Sequence, residues 1–72
     1  MINIQDIIPF MKKGWVAMDK DGRWWWYERK PRKEDLRACW LSKGTQGLID
    51  KDAFDIAPAE DWTKSLIKVG GK

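Results

Sequence analysis

Residues 14–31 read GWVAMDKDGRWWWYERKP, two apolar runs on either side of Asp19-Lys20-Asp21-Gly22. Aspartate at the first position and glycine at the last suit a type I turn closed by a glycine bulge, which joins antiparallel strands. WVAMD and RWWWYER are therefore the two arms of a hairpin. Lys30-Pro31 ends the second arm, because proline cannot donate to a sheet ladder. With Lys20, Asp21 and Gly22 as the loop, Asp19 pairs with Arg23, Met18 with Trp24, Ala17 with Trp25, Val16 with Trp26 and Trp15 with Tyr27.

Side chains alternate between the faces of a strand, so this register sorts the tryptophans. One face carries Val16, Met18, Trp24 and Trp26, has no polar group, and belongs to the core. The other carries Trp15, Ala17, Asp19, Arg23, Trp25 and Tyr27. Two fates are open to that second face. It is covered by the apolar stripe Ile4, Ile7, Ile8 and Met11, or it is left as a shallow aromatic platform on which Trp25 is the surplus ring.

The N-terminal stripe has helical spacing. Asp6 as N-cap, Pro9 in the first turn, Lys12 and Lys13 in the last and Gly14 beyond it predict a short helix over 6–13. After the hairpin, ACWLS (38–42) reads as a third strand and KGTQG (43–47) as a turn. LIDK leads to AFDI as a strand pair or a strand and bend, stopped by Pro58. EDWTKS reads as one helical or 3-10 turn, and LIKV (66–69) as a closing strand. Trp40 and Trp62 are expected to close the core. The fold class expected is mainly β (α+β), with residues 1–72 one domain, 6–13 its helix and 14–69 its β-rich body. The architecture expected is a small curled antiparallel sheet or an SH3-like, partly open barrel with one short N-terminal helix.

A chain of 72 residues buries roughly 60% of its unfolded surface, so it has little stability to spare. Six tryptophans help, since each buries on the order of 150–250 Å². No apolar run is long enough to span a bilayer, MINIQDIIPFMKK lacks the marks of a signal peptide, and Cys39 has no partner for an internal disulfide. A cytoplasmic setting without a membrane is expected. The net charge of +3 is small, but its distribution is uneven. Residues 29–37, RKPRKEDLR, hold five basic and two acidic groups, and residues 50–61 hold five acidic and one basic. Each run taken alone reads as a solvated loop.

With no histidine there is no histidine base, no Ser-His or Cys-His nucleophile and no histidine metal ligand. One cysteine makes no structural zinc site. Asp19-Lys20-Asp21-Gly22 begins like a calcium loop, but Lys30 stands where the bidentate glutamate belongs. Gly44 and Gly47 flank a turn rather than a strand-to-helix phosphate loop. Carboxylate pairs such as Asp50/Asp52 and Glu60/Asp61 stand without an activating neighbour. No catalytic or metal-binding residue and no cofactor is expected, and a binding protein fits better than an enzyme.

Trp15, Ala17, Asp19, Asp21 and Gly22 form a W-x-A-x-D-x-D-G pattern, followed by Lys30-Pro31, Trp40 and a D-W-x-x-S-L close at Asp61, Trp62, Ser65 and Leu66. From Gly14 onward the chain resembles small uncharacterised bacteriophage and prophage proteins that share this pattern. More loosely it is similar to short phage proteins that antagonise bacterial defence, some of which sequester nucleotide signals. The resemblance implies an accessory, counter-defence binding protein. Joined to the residues, it gives a ligand site in which Trp15, Trp25 and Tyr27 stack a flat ring while Arg23, Arg29 and Lys30 neutralise phosphate. The partner expected is a nucleotide-like small molecule enclosed by a homo-oligomer. The alternative is a host protein inhibited through the same apolar face or the acidic segment. Single-stranded nucleic-acid binding is a further alternative, against which the near-neutral charge argues.

Overall fold

The structure, a computed structural model, describes residues 1–49 and 55–70. The expected hairpin is its centre. Strands β1 (Gly14–Met18) and β2 (Trp24–Tyr27) pair antiparallel with Trp15 opposite Tyr27, Val16 opposite Trp26, Ala17 opposite Trp25 and Met18 opposite Trp24. The Gly22 N–H donates to the Asp19 carbonyl (2.9 Å) and the Asp19 N–H to the Arg23 carbonyl (3.0 Å). Gly22 takes φ +91°, the left-handed value that the bulge requires and that glycine adopts at no steric cost.

Strands β3 (Arg32–Glu34) and β4 (Cys39–Leu41) form a separate two-stranded sheet. Strands β5 (Gln46–Leu48) and β6 (Ile67–Val69) complete the main sheet in the order β5-β2-β1-β6, every pairing antiparallel. The expected third strand, the 3-10 turn (Trp62–Lys64) and the closing strand are all present. The two sheets do not close into a barrel. Of the segment read as AFDI, Ile56 makes an isolated parallel bridge to Ile2, and residues 50–54 lie outside the described residues. Among the described residues, no helix is long and apolar enough to cross a membrane.

Two further expectations are corrected, beyond the turn expected over 43–47, whose Gln46 and Gly47 pair with β2 in β5. The helix begins earlier and is shorter: α1 spans Ile4–Ile7 and passes into a 3-10 turn over Ile8–Phe10. Asn3, not Asp6, is the cap, with its Oδ1 accepting the Gln5 N–H at 2.9 Å. Pro9 explains the stop, because its ring would clash with a carbonyl four residues back and it has no N–H to donate. Gly14 is therefore not a helix cap but the first residue of β1.

The second correction concerns what covers which face. Ile4, Ile7, Ile8 and Met11 pack on Val16, Met18, Trp24 and Trp26, the face already read as core. The opposite face is covered by other residues. Trp40, Trp62 and Leu66 lie with Trp15, Ala17, Trp25 and Tyr27 in a second apolar cluster. Both faces of β1 are thus filled, and the three consecutive tryptophans divide between them. Trp24 is buried and Trp26 half-buried on the helix side, where their indoles donate to the Ala57 carbonyl (3.4 Å) and the Lys12 carbonyl (3.1 Å). Trp25 is half-buried in the other cluster.

Trp40 fastens that second layer. Its indole donates to the carbonyls of Met18 (3.1 Å) and Trp62 (3.2 Å), and its ring meets Trp62 edge-on at 6.4 Å. The buried Ser65 hydroxyl accepts the Met18 N–H (2.8 Å) and lies 2.7 Å from the Trp62 carbonyl. The β3–β4 turn is held against the central one by two bonds. The Trp40 N–H donates to Asp19 Oδ1 (3.0 Å), and the Lys20 N–H donates to the Ala38 carbonyl (3.1 Å). Ala38 itself sits at φ +52°, a region that costs an L-residue about 1–2 kcal/mol.

Burial pushes the Asp19 carboxyl above its ordinary value, against the Trp40 N–H bond that lowers it, and Asp21 adds to the rise. The folded chain then holds this proton more readily than the unfolded one. Asp19 accordingly costs stability as pH rises from 3.8 through the raised folded value. Asp19→Asn keeps an acceptor for Trp40 and removes the charge, so its melting temperature at pH 7 is expected to equal or exceed the parent's. Asp19→Ala leaves that N–H unpartnered and is expected to cost about 1–3 kcal/mol. Equal losses in the two variants would show that the carboxylate charge, not its acceptor oxygen, is what the turn needs.

Candidate ligand-binding site

The six residues expected to bind ligand do not gather in one place. Tyr27 is 0% exposed, with its hydroxyl donating to the Trp40 carbonyl at 3.4 Å. Burial holds its pKa well above the usual phenol range, with Asp19 and Cys39 adding to the rise. It stays neutral and offers no face for stacking. Trp25 is half-buried between Ala17 and Leu48, its neighbours across the strands. Arg23 stands at the hairpin tip, with its N–H on Asp21 Oδ1 (2.9 Å) and its Nε 3.7 Å from Asp21 Oδ2. Along an extended strand it lies roughly 20 Å from Arg29.

Trp15 is half-buried, and two ammonium groups already attend its ring. Lys30 Nζ lies 5.6 Å and Lys68 Nζ 5.9 Å from its ring centroid. Both distances fall within cation–π range. Lys68 reaches the ring because β6 places it directly opposite Trp15. Lys30 reaches it from the segment just after β2. Trp15 therefore gathers positive charge more than it offers a bare stacking surface.

Beside it, Arg29, Lys30, Arg32, Leu41, Ser42 and Lys43 line an open cleft of about 310 Å³. Three pieces of chain build it: the segment after β2, the start of β3, and the end of β4 with the turn beyond. The Ser42 hydroxyl ties them together, donating to the Arg29 carbonyl (3.2 Å) and accepting the Gly44 N–H (3.3 Å). Arg29 lies over Gly44 so closely that a methyl group there would come within 3.0 Å of Arg29 Cγ. The glycine thus makes room for the arginine stem.

The cleft is lined by four cations and no carboxylate. Among the described residues, ion pairs form at Arg23–Asp21 and Lys33–Asp35, and neither involves a cleft residue. A patch of one sign raises the local concentration of anions, and does so most at low ionic strength. Compared with protein-family models, curated proteins and solved structures, the chain matches none.

Arg29 and Lys30 are the two expected anion contacts that the fold brings together, and it adds Arg32 and Lys43. Arg32 lies in the basic run 29–37, whose reading as a solvated loop hid a strand. Lys43 adjoins the glycine turn and carries no signal until β4 pairs with β3. Cys39 lies outside this cleft. Burial raises its thiol pKa, as do Asp19, Glu34 and Asp21 against the lowering influence of Arg37, so it is a poor nucleophile. Among the described residues no group of three or more His, Cys, Asp or Glu side chains is placed to hold a metal ion.

Proposed function

We propose that this protein is a non-enzymatic binding module that sequesters a nucleotide-like ligand, held chiefly by its phosphate in the cleft of Arg29, Lys30, Arg32 and Lys43. One observation supports this above the rest: four cationic residues line one cleft, with no carboxylate among the lining residues. Arginine forks meet phosphate oxygens two at a time, and lysines add mobile point charges. Trp15, with its ring centroid 5.6 Å from Lys30 Nζ, adds an aromatic neighbour on the Lys30 side of the cleft. Such a module acts by lowering free ligand concentration and needs no catalytic residue. A counter-defence role follows from the phage resemblance alone.

A thermal-shift screen against mono-, di- and cyclic nucleotides at low salt tests the proposal. Ligand at 100 times its dissociation constant adds about 2.7 kcal/mol to stability. For a domain this small that is a rise of roughly 10–20 °C. Arg29→Glu, melting like the parent without ligand, is expected to lose the shift. If no nucleotide moves the melting temperature, the proposal fails. A protein partner would then be sought at Leu36, which is 96% exposed at the tip of the β3–β4 hairpin.

A further inference from the structure

Resting on that phosphate-binding reading, we infer that the cleft counts phosphates and is blind to the base, so that its ligands are nucleoside di- and triphosphates. A phosphate monoester carries about −1.5 to −2 charge near neutral pH. It can answer two of the four cationic residues lining the cleft and leaves the charge repulsion of the other two uncompensated. A second and third phosphate remove that repulsion. Lys68 adds a further cation near Lys30, the two ammonium groups lying 5.9 Å and 5.6 Å from the same Trp15 ring centroid.

Base selectivity needs acceptors as well as donors at a base edge, and the four cationic side chains of the lining only donate. Its only uncharged polar side chain is Ser42, whose hydroxyl already donates to the Arg29 carbonyl and accepts from the Gly44 N–H. The remaining uncharged lining residue is Leu41. Trp15 contributes a ring shared with two ammonium groups, a contact that any base or sugar can make. Arg29, Lys30, Arg32 and Lys43 bind oxyanions whatever is attached to them. Recognition is thus electrostatic on the phosphate side and permissive on the other.

The test is a calorimetric or competition titration of the whole chain at low salt. The probes are adenosine, its mono-, di- and triphosphate, guanosine triphosphate, inorganic tripolyphosphate and an oligothymidine without terminal phosphate. Affinity is expected to rise by about tenfold or more from mono- to triphosphate, a step of about 1.4 kcal/mol. The two triphosphates are expected to agree within about threefold, and tripolyphosphate to compete with both. Lys43→Glu and Arg32→Glu, each melting like the parent, are expected to weaken triphosphate far more than monophosphate. Equal affinity for mono- and triphosphate, or strong preference for one base, overturns the inference and leaves the nucleotide-binding proposal standing. Failure of every phosphate probe overturns both. Tighter binding of the oligothymidine than of the triphosphates overturns the inference in favour of an extended single strand.

Discussion

Replacing Trp40 by alanine is expected to cost about 3–5 kcal/mol, the usual loss for truncating a large buried aromatic. A domain of this length has roughly 4–11 kcal/mol in all, so the variant stands near its unfolding threshold. The reasons are local and separable. Trp40 is 7% exposed, packs edge-on against Trp62, and gives its indole proton to two carbonyls. Its removal opens a cavity between the hairpin and the second sheet and leaves the Trp62 carbonyl to the Ser65 N–H and hydroxyl. Trp40→Phe retains most of the ring and loses the N–H, so it is expected to lose less than half as much. Urea denaturation of both variants measures this. A loss under about 1 kcal/mol for the alanine variant would mean that Trp62 and Leu66 close the layer unaided.

Gly14→Ala is the second large effect, and its sign is the informative part. Elsewhere in a strand such a change gains about 0.5–1 kcal/mol by restricting the unfolded chain. At Gly14 an added methyl group would run into the Tyr27 carbonyl oxygen and come within 2.8 Å of Trp26 Nε1. The carbonyl is backbone and paired across β1–β2, and the indole is committed to Lys12, so neither yields cheaply. The expected loss is about 1–3 kcal/mol or more. Gly47→Ala is the control, because nothing lies within 4 Å of the position its methyl group would take. Thermal melts are expected to fall for Gly14→Ala and to hold or rise for Gly47→Ala. A stable Gly14→Ala protein would mean that β1 and β2 can part without cost at that end.

The central hairpin was legible in full, down to the residue pairs, because one turn of known geometry fixes every pairing after it. Asp19 and Gly22 carried that information themselves. The helix start was not legible, since Asn3 and Asp6 are both good caps and only the packing of Ile4 chooses between them. The cover over Trp15 and Trp25 was also misplaced. The helical stripe and the Trp40–Trp62 pair are both apolar, and composition does not say which goes to which side. Strand β3 left no trace because its residues, Arg32, Lys33 and Glu34, are charged and largely exposed. Its existence depends on β4 across from it and on Ala38 accepting a left-handed turn. The cleft cations inherit that obscurity: Arg32 and Lys43 are eleven positions apart and meet only once β3 and β4 pair.

The run from Trp24 to Tyr27 has another consequence, outside the folded state. Four adjacent aromatics with both strand faces apolar are a strong template for strands of other chains whenever the domain opens. The segments on either side are the counterweight. Asp19, Asp21 and Arg23 precede the run, and Glu28, Arg29, Lys30 and Pro31 follow it. Charge and proline at both ends are what discourages such stacking from spreading. Arg29 and Lys30 thus serve twice, as cations of the proposed phosphate cleft in the native protein and as gatekeepers against aggregation in the unfolded one. Alanine at either position removes both roles at once, whereas glutamate reverses the first and preserves the second.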